Sequence, residues 1–229
     1  MFNESAIKTY QIIQLKVGTS IINYCYIVID IETKDCLIID PAWDYQRIVR
    51  WFYKKRMNLS KILLTHSHYD HVNLVENLVN EFDVPVYMSR DEIKYYNFKC
   101  KNLIAVDDFD KIQLGETEIT CILTPGHTPG SLCFYLSHSI FTGDTVFIEG
   151  CGICNTLGGN AEDMFNSLQK FKKLTSLQTR IYPGHSFGEP PGQTFANLIE
   201  KNIYFHIYDK ETFIKFRMRE KQKKLLDFQ

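Results

Sequence analysis

The chain has 229 residues, a formal net charge of −1, 45% hydrophobic residues and 14% aromatics. That length suits one sizeable domain, so 1–229 reads as a single unit in which 186–229 is a short helical and basic extension. Near-neutral charge argues against a nucleic-acid or membrane-surface partner, and no apolar run reaches membrane-spanning length.

The stretch Met1–Ser5 lacks the basic start and apolar run of an export signal, and seven cysteines show no disulfide-like spacing. They read as reduced thiols, and a cytoplasmic location is expected. Tyr10–Val17 and Ile21–Ile31 read as strands about a Gly18–Thr19 turn, and Cys36–Ile39 as a third that stops at Asp40–Pro41. Tyr45–Met57 has helical spacing in Ile48, Val49 and Phe52. Lys61–Leu64 is a short apolar run, read as a strand. Next comes Thr65-His66-Ser67-His68-Tyr69-Asp70-His71-Val72, after which apolar residues recur at helical spacing to about Glu81. Pro85–Met88 reads as a strand, Ser89–Tyr96 as a helical patch, and Lys111–Leu114 with Glu118–Leu123 as a hairpin. Pro and Gly break regular structure through Thr124–Ser131. Strands at Leu132–Leu136, Ile140–Thr142 and Arg180–Tyr182, helices at Glu162–Leu174 and Thr194–Asn202, and a basic tail complete the chain. Strands interspersed with helices indicate α/β layers.

The cluster His66, His68, Asp70, His71 packs four strong metal-ligand types into six positions where a strand gives way to a helix. His66 and His68 are two apart on extended chain and can point the same way, whereas Asp70 and His71 are adjacent in a helical turn and diverge. That arrangement suits two metal ions better than one. Three more candidates follow predicted strands, each beside a glycine: His127 in Pro-Gly-His-Thr-Pro-Gly, Asp144 in Thr-Gly-Asp-Thr and His185 in Tyr-Pro-Gly-His. Strand ends are where α/β proteins place their chemistry. Seven such groups suffice for two metals with room for water.

The pattern His66-x-His68-x-Asp70-His71, His127, Asp144, His185 resembles the metallo-β-lactamase superfamily, through about His185. The resemblance implies a four-layer αββα sandwich with the metals at one edge of two sheets. It implies that His66, His68 and His127 hold one Zn2+, that Asp70, His71 and His185 hold a second, and that Asp144 bridges them. Asp70 or Asp144 would then act catalytically by orienting the nucleophile. Gly143–Gly152 and Ala161–Leu168 are similar to the glyoxalase II branch, and Asp144 in place of a cysteine differs from true zinc β-lactamases. Two glutathione contacts usual in that branch are missing: Ile153 stands where a Lys or Arg is common, and Phe187 stands in the Gly184-His185-Ser186-Phe187 turn where a Tyr is common. Thr65–Leu74, Pro85–Ser89, Phe98–Leu103, Gly143–Cys154, Tyr182–Gly192 and Lys215–Lys221 resemble the zinc-dependent hydrolases encoded beside trans-acyltransferase polyketide synthases. That likeness implies hydrolysis of acyl thioesters in polyketide, hence antibiotic, biosynthesis, with an acyl carrier protein as partner.

Alternatives are a glyoxalase II acting on hydroxyacylglutathione and a one-iron persulfide dioxygenase, although that family follows the Gly-Cys-Gly loop with Arg-Thr-Asp where Ile153-Cys154-Asn155 stands here. A nuclease or a non-catalytic binding module fits less well, given the neutral charge and the intact ligand set. Cys151-x-x-Cys154 reads as pocket lining rather than a redox pair, and Cys121 and Cys133 read as core. His138 and His206 read as surface. Lys210–Gln229 carries seven Lys/Arg against three Asp/Glu. This tail is either a solvated end or, through Arg217, Arg219 and Lys221, a docking surface for an acidic carrier protein.

Overall fold

The computed structural model describes residues 8–19 and 22–219. Met1–Ser5, Ile21 and Lys221 lie outside the described residues. The first sheet holds β1 (Tyr10–Val17), β2 (Asn23–Asp30), β3 (Asp35–Ile39), β4 (Asn58–Leu63), β5 (Val86–Ser89) and β6 (Leu103–Val106), in that spatial order. β1, β2 and β3 are antiparallel neighbours, and β3 to β6 run parallel. The parallel half needs crossovers, supplied by α1 (Tyr45–Lys55), the one-turn α2 (Tyr69–Val72), α3 (Val75–Phe82) and α4 (Arg90–Tyr96).

The second sheet is built from β7 (Lys111–Leu114), β8 (Thr117–Leu123), β9 (Leu132–Leu136) and β10 (Ser139–Gly143), followed by a small hairpin of β11 (Val146–Phe147) and β12 (Gly150–Cys151). After α5 (Ala161–Leu174), β13 (Arg180–Pro183) returns parallel to β10, and β14 (Gln193–Thr194) closes the edge. The spatial order is β14-β13-β10-β9-β8-β7. The helices α6 (Phe195–Lys201) and α7 (Lys210–Arg217) complete the outer layer.

Period-two alternation sorts each central strand between cores. All eight residues of β2 are buried: Cys25, Ile27 and Ile29 face α1 and α3, while Tyr24, Tyr26 and Val28 face the second sheet. In β9, Leu132, Phe134 and Leu136 meet the first sheet, and Cys133 and Tyr135 meet Met164, Leu168 and Phe171 of α5. Two sheets buried on both faces under two helical layers give the αββα order. No helix among the described residues is long and apolar enough to cross a membrane.

The expected helix from Val72 is two helices. The Asn73 side chain accepts the Trp43 N–H at 2.8 Å, and the Leu74 N–H turns to the Pro41 carbonyl at 3.3 Å, which interrupts the ladder between α2 and α3. The basic tail also departs from a solvated end. α7 packs Phe213, fully buried, against Phe165 and Tyr204.

At one edge the chain leaves β4, β8, β10 and β13 by their carboxyl ends. The two sheets are tied there by the Leu132 N–H to the Thr65 carbonyl, and by the Tyr24 N–H to the Gly184 carbonyl, both 2.8 Å.

Candidate metal centre

Thr65–His71 follows β4, Thr124–His127 follows β8, Asp144 follows β10, and His185 follows β13. Tight backbone brings them together. Gly184 lies so close that a Cβ there would meet His71 Cε1 at 2.5 Å and Asp144 Oδ1 at 2.6 Å. Gly143 adopts φ +47°, a left-handed turn that swings Asp144 out of the sheet.

Two groups of donors result, each with its donor atoms within 4.8 Å of one another: His66, His68, His127 and Asp70, His71, His185. His127 Nε2 lies 2.9 Å from His68 Nδ1, and His71 Nε2 lies 3.3 Å from His185 Nε2. Asp144 stands between the groups. Its Oδ1 is 3.4 Å from His71 Nε2, and its Oδ2 is 3.6 Å from His127 Nε2 and 3.4 Å from His185 Nε2. Asp70 Oδ2 is 3.4 Å from His185 Nε2.

The outer nitrogens are already committed. His127 Nδ1 donates to the Ile153 carbonyl at 2.7 Å, and His185 Nδ1 donates to the Ile22 carbonyl at 2.9 Å. Asp40 Oδ2 receives the Thr65 hydroxyl at 2.6 Å and faces His71 Nδ1 at 3.0 Å; its Oδ1 takes the Thr65 N–H at 2.8 Å. Because the Thr65 hydroxyl donates to Asp40, it accepts from His66 Nδ1 at 3.1 Å. Each of these histidines therefore presents its Nε2 inward, with the orienting partner that metal-bound imidazoles use. Asp40 also lies within reach of His66 and His71 as a donor, but both its oxygens are occupied in this network.

Electrostatics separate the two groups. Burial pushes His66, His68 and His127 down, His127 to about 4, so all three are neutral at pH 7. Burial also opposes a charge on His185, but the Asp144 and Asp70 carboxylates outweigh it and push it up to about 11. Burial is likewise outweighed at His71, raised by Asp144 and Asp40. Asp144 is held well below the usual carboxylate range, its burial outweighed by His185 and His71, and Asp70 lies near 2, where His185 and His71 overcome burial.

The donor set fits metal. His66 Nε2 and Asp144 Oδ1 are buried without a hydrogen-bond partner, which a folded interior rarely tolerates. Imidazoles bound tetrahedrally at about 2.0–2.1 Å place their nitrogens roughly 3.3–3.4 Å apart, close to the separations here. Three imidazoles on one side, a carboxylate and two imidazoles on the other, and a carboxylate between suit a borderline divalent ion such as zinc.

The sequence model of the metallo-beta-lactamase superfamily matches residues 19–185. The chain belongs to the metallo-β-lactamase superfamily. Within it, the chain is 51% identical over 206 residues to the "probable polyketide biosynthesis zinc-dependent hydrolase PksB" of Bacillus subtilis, covering 90% of this chain and 92% of that protein. It is 49% identical over 221 residues to the corresponding BaeB of Bacillus velezensis, covering 96% and 98%. A cytoplasmic hydroxyacylglutathione hydrolase of Saccharomyces cerevisiae is 33% identical over 178 residues, 72% of this chain and 64% of that one. The crystal structure of ETHE1 from Myxococcus xanthus shares the fold, with a TM-score of 0.83 at 24% identity over 95% of each chain.

The other singled-out residues fall into place unequally. Ile153 is half-buried and serves the superfamily site through its backbone carbonyl. Phe187 packs at a tilt against Phe147, with centroids 4.6 Å apart, and lies 6.1 Å from the His185 ring, forming an apolar wall. Arg217 corrects the expectation of a docking charge. It is 1% exposed, and its Nε and Nη1 donate at 2.9 Å to the Gly152 carbonyl and the Tyr204 hydroxyl. Arg219 lies over the Phe216 ring and donates to the Phe216 carbonyl at 2.7 Å. Cys151 and Cys154 are buried, and burial first of all raises both thiols, Cys154 to about 11, so neither is a ready nucleophile.

Three supporting residues escaped the sequence reading: Asp40, Asn23 and Glu92. The Asn23 Nδ2 donates to Asp70 Oδ2 at 3.1 Å and to the Asp70 carbonyl at 2.8 Å. Glu92, fully buried, accepts from the Ser67 N–H and hydroxyl at 2.7 Å each and from the Gly130 N–H at 3.1 Å. It thereby joins the loop of His66 and His68 to the loop after His127. Burial behind a strand end (Asp40) and at the start of a helix (Glu92) is not visible in residue spacing.

Proposed function

We propose that this protein is a binuclear zinc hydrolase of acyl thioesters acting in polyketide biosynthesis, with substrates carried on phosphopantetheine. The observation that carries the reading is the pair of donor groups that share Asp144, in a chain about half identical to two zinc-dependent hydrolases of polyketide biosynthesis. His66, His68 and His127 would hold one zinc, Asp70, His71 and His185 the second, and Asp144 both. When bound, the metal pair supplies Lewis acidity that lowers the pKa of water and polarises a carbonyl.

The protein's own residues do the rest. Asp144 and Asp70, held ionised, accept hydrogen bonds from water and fix its approach to the acyl carbon. Asn23 locks the Asp70 rotamer. Phe187, backed by the buried Phe147, on one side, with Tyr69 and Tyr96 on the other, offers the acyl chain an apolar approach. Water adds to the acyl carbon, the C–S bond breaks, and the products are a carboxylic acid and a thiol. A thiol of pKa about 8.5 leaves with little help from a general acid.

The glutathione reading is disfavoured because position 153 contributes only a backbone carbonyl and an aliphatic side chain, and position 187 a phenyl ring without a hydroxyl. The test is thiol release by the zinc-loaded protein from one acyl group on two carriers, glutathione and a phosphopantetheine carrier protein. Faster release from the carrier protein is expected. Preference for glutathione would make this a glyoxalase II variant, and oxygen consumption with a persulfide would make it a dioxygenase.

A further inference from the structure

The metal centre opens beside a second feature that the proposed chemistry does not use. A groove of about 600 Å3 runs along the outer face of α1, lined by Trp43, Arg47, Arg50, Trp51 and Lys54 among others, with Asp44 its one carboxylate. Arg47, Arg50 and Lys54 fall at i, i+3 and i+7, one face of the helix, while Ile48 and Phe52 take the opposite face into the core. With Lys55 and Arg56, this segment carries five cations and, from 45 to 57, no carboxylate, in a protein whose net charge is −1. Arg47 is engaged, by the Lys16 carbonyl at 2.7 Å and Asp44 at 3.7 Å. Arg50 and Lys54 are exposed, and no ion pair to either is present among the described residues.

The groove is coupled to the metal site through Trp43. This residue has φ +65°, a left-handed conformation that a bulky side chain holds only where its surroundings enforce it. Asn73 holds its N–H. The result is an indole set between the groove and the metal mouth. Its Nε1 donates to Asn23 Oδ1 at 3.0 Å, the same Asn23 that holds Asp70, and its ring meets Tyr69, 72% exposed, edge-on at 5.8 Å.

Resting on the thioester reading above, we propose that this basic groove on α1 is the docking surface for an acidic carrier protein, which lays an acidic helix along Arg47, Arg50 and Lys54 and passes its acyl thioester over Trp43 and Tyr69 to the metals. Charge complementarity carries the choice of occupant. Arg47 to Lys54 extends roughly 10 Å along the helix axis, the reach of a helix face rather than of a single phosphate. The C-terminal segment is no competitor among the described residues, since Arg217 is buried and Arg219 is folded back on Phe216.

The experiment compares the zinc-loaded wild type with Arg50→Glu/Lys54→Glu. Two quantities are read: the Kd of an acyl carrier protein lacking its prosthetic group, and kcat/KM on acetyl-carrier protein and on acetyl-pantetheine. Docking predicts at least about a tenfold weaker Kd, a similar loss of kcat/KM on the carrier substrate through KM, a wild-type affinity that falls with salt, and unchanged turnover of acetyl-pantetheine. An unchanged Kd overturns the proposal even if thioesters are hydrolysed. Equal losses on both substrates also overturn it, since they mean a damaged active site. Should neither thioester be turned over, the thioester reading fails, while the Kd comparison still decides whether an acidic protein binds this groove.

Discussion

Arg217 shows how far a side chain's surroundings outrank its type. In the sequence it belongs to a run of cations; in the fold it is a buried clamp whose Nε secures the Gly152 carbonyl. The neighbouring carbonyl, that of Ile153, accepts from His127 Nδ1, so α7 supports one wall of the metal centre. Arg217→Met keeps the volume and abandons two buried acceptors, and a loss of about 2–4 kcal/mol is expected. A lowered urea midpoint would show it; a change under about 0.5 kcal/mol, usual for a surface residue, would contradict it. The seven residues that converge on the metal centre were legible in the sequence because ligand chemistry is carried by residue type and short spacing. Asp40, Asn23 and Glu92 were not, because what they do depends on contacts across 25 to 47 positions of chain.

At the scale of elements, α4 does more than cross over between β5 and β6. Its Glu92 takes N–H groups from both ligand loops, and the Ser89 hydroxyl caps the helix by accepting the Glu92 N–H at 3.0 Å while donating to the Gly130 carbonyl. Glu92→Gln preserves shape but turns an amide N–H toward one of three donors. Stability falls by about 2–3 kcal/mol, and zinc is lost to a chelator faster than from wild type. Denaturant melts and a chelator competition would check it; wild-type zinc retention would remove α4 from the account. The elements themselves were readable where burial alternates or runs unbroken, as in β2 and β9. β6 was missed because it is an edge strand in which only Val106 is buried, and α7 because eight residues with three cations resemble a tail. The break between α2 and α3 escaped because Leu74 satisfies helix periodicity while its N–H bonds to the Pro41 carbonyl.

Across the whole molecule, the two sheets are joined at both edges. The metal centre closes one. At the other, Asp30 at the end of β2 accepts from Thr33 through Oδ1 and from the Glu116 N–H and Thr117 hydroxyl through Oδ2, at 3.0 and 2.8 Å. Burial opposes ionisation there, but these hydrogen bonds prevail and lower its pKa from 3.8. A carboxyl with a depressed folded pKa contributes stability above its unfolded value, and that contribution is lost as pH falls through the folded one. Asp30→Asn should therefore be less stable at pH 7, with the gap to wild type narrowing below about pH 4. Urea melts against pH would show this; a gap that widens in acid would contradict it. The fold holds six donors in two groups of three around Asp144, and the central claim is that, with Asp144, they bind two metals as one unit. Metal content per chain, measured by elemental analysis of the wild type and of Asp144→Asn after zinc loading and desalting, tests it most directly. Two zinc ions per wild-type chain, and a marked loss from a still-folded Asp144→Asn, are predicted. A single iron per chain, or full zinc retention by Asp144→Asn, would contradict the binuclear account.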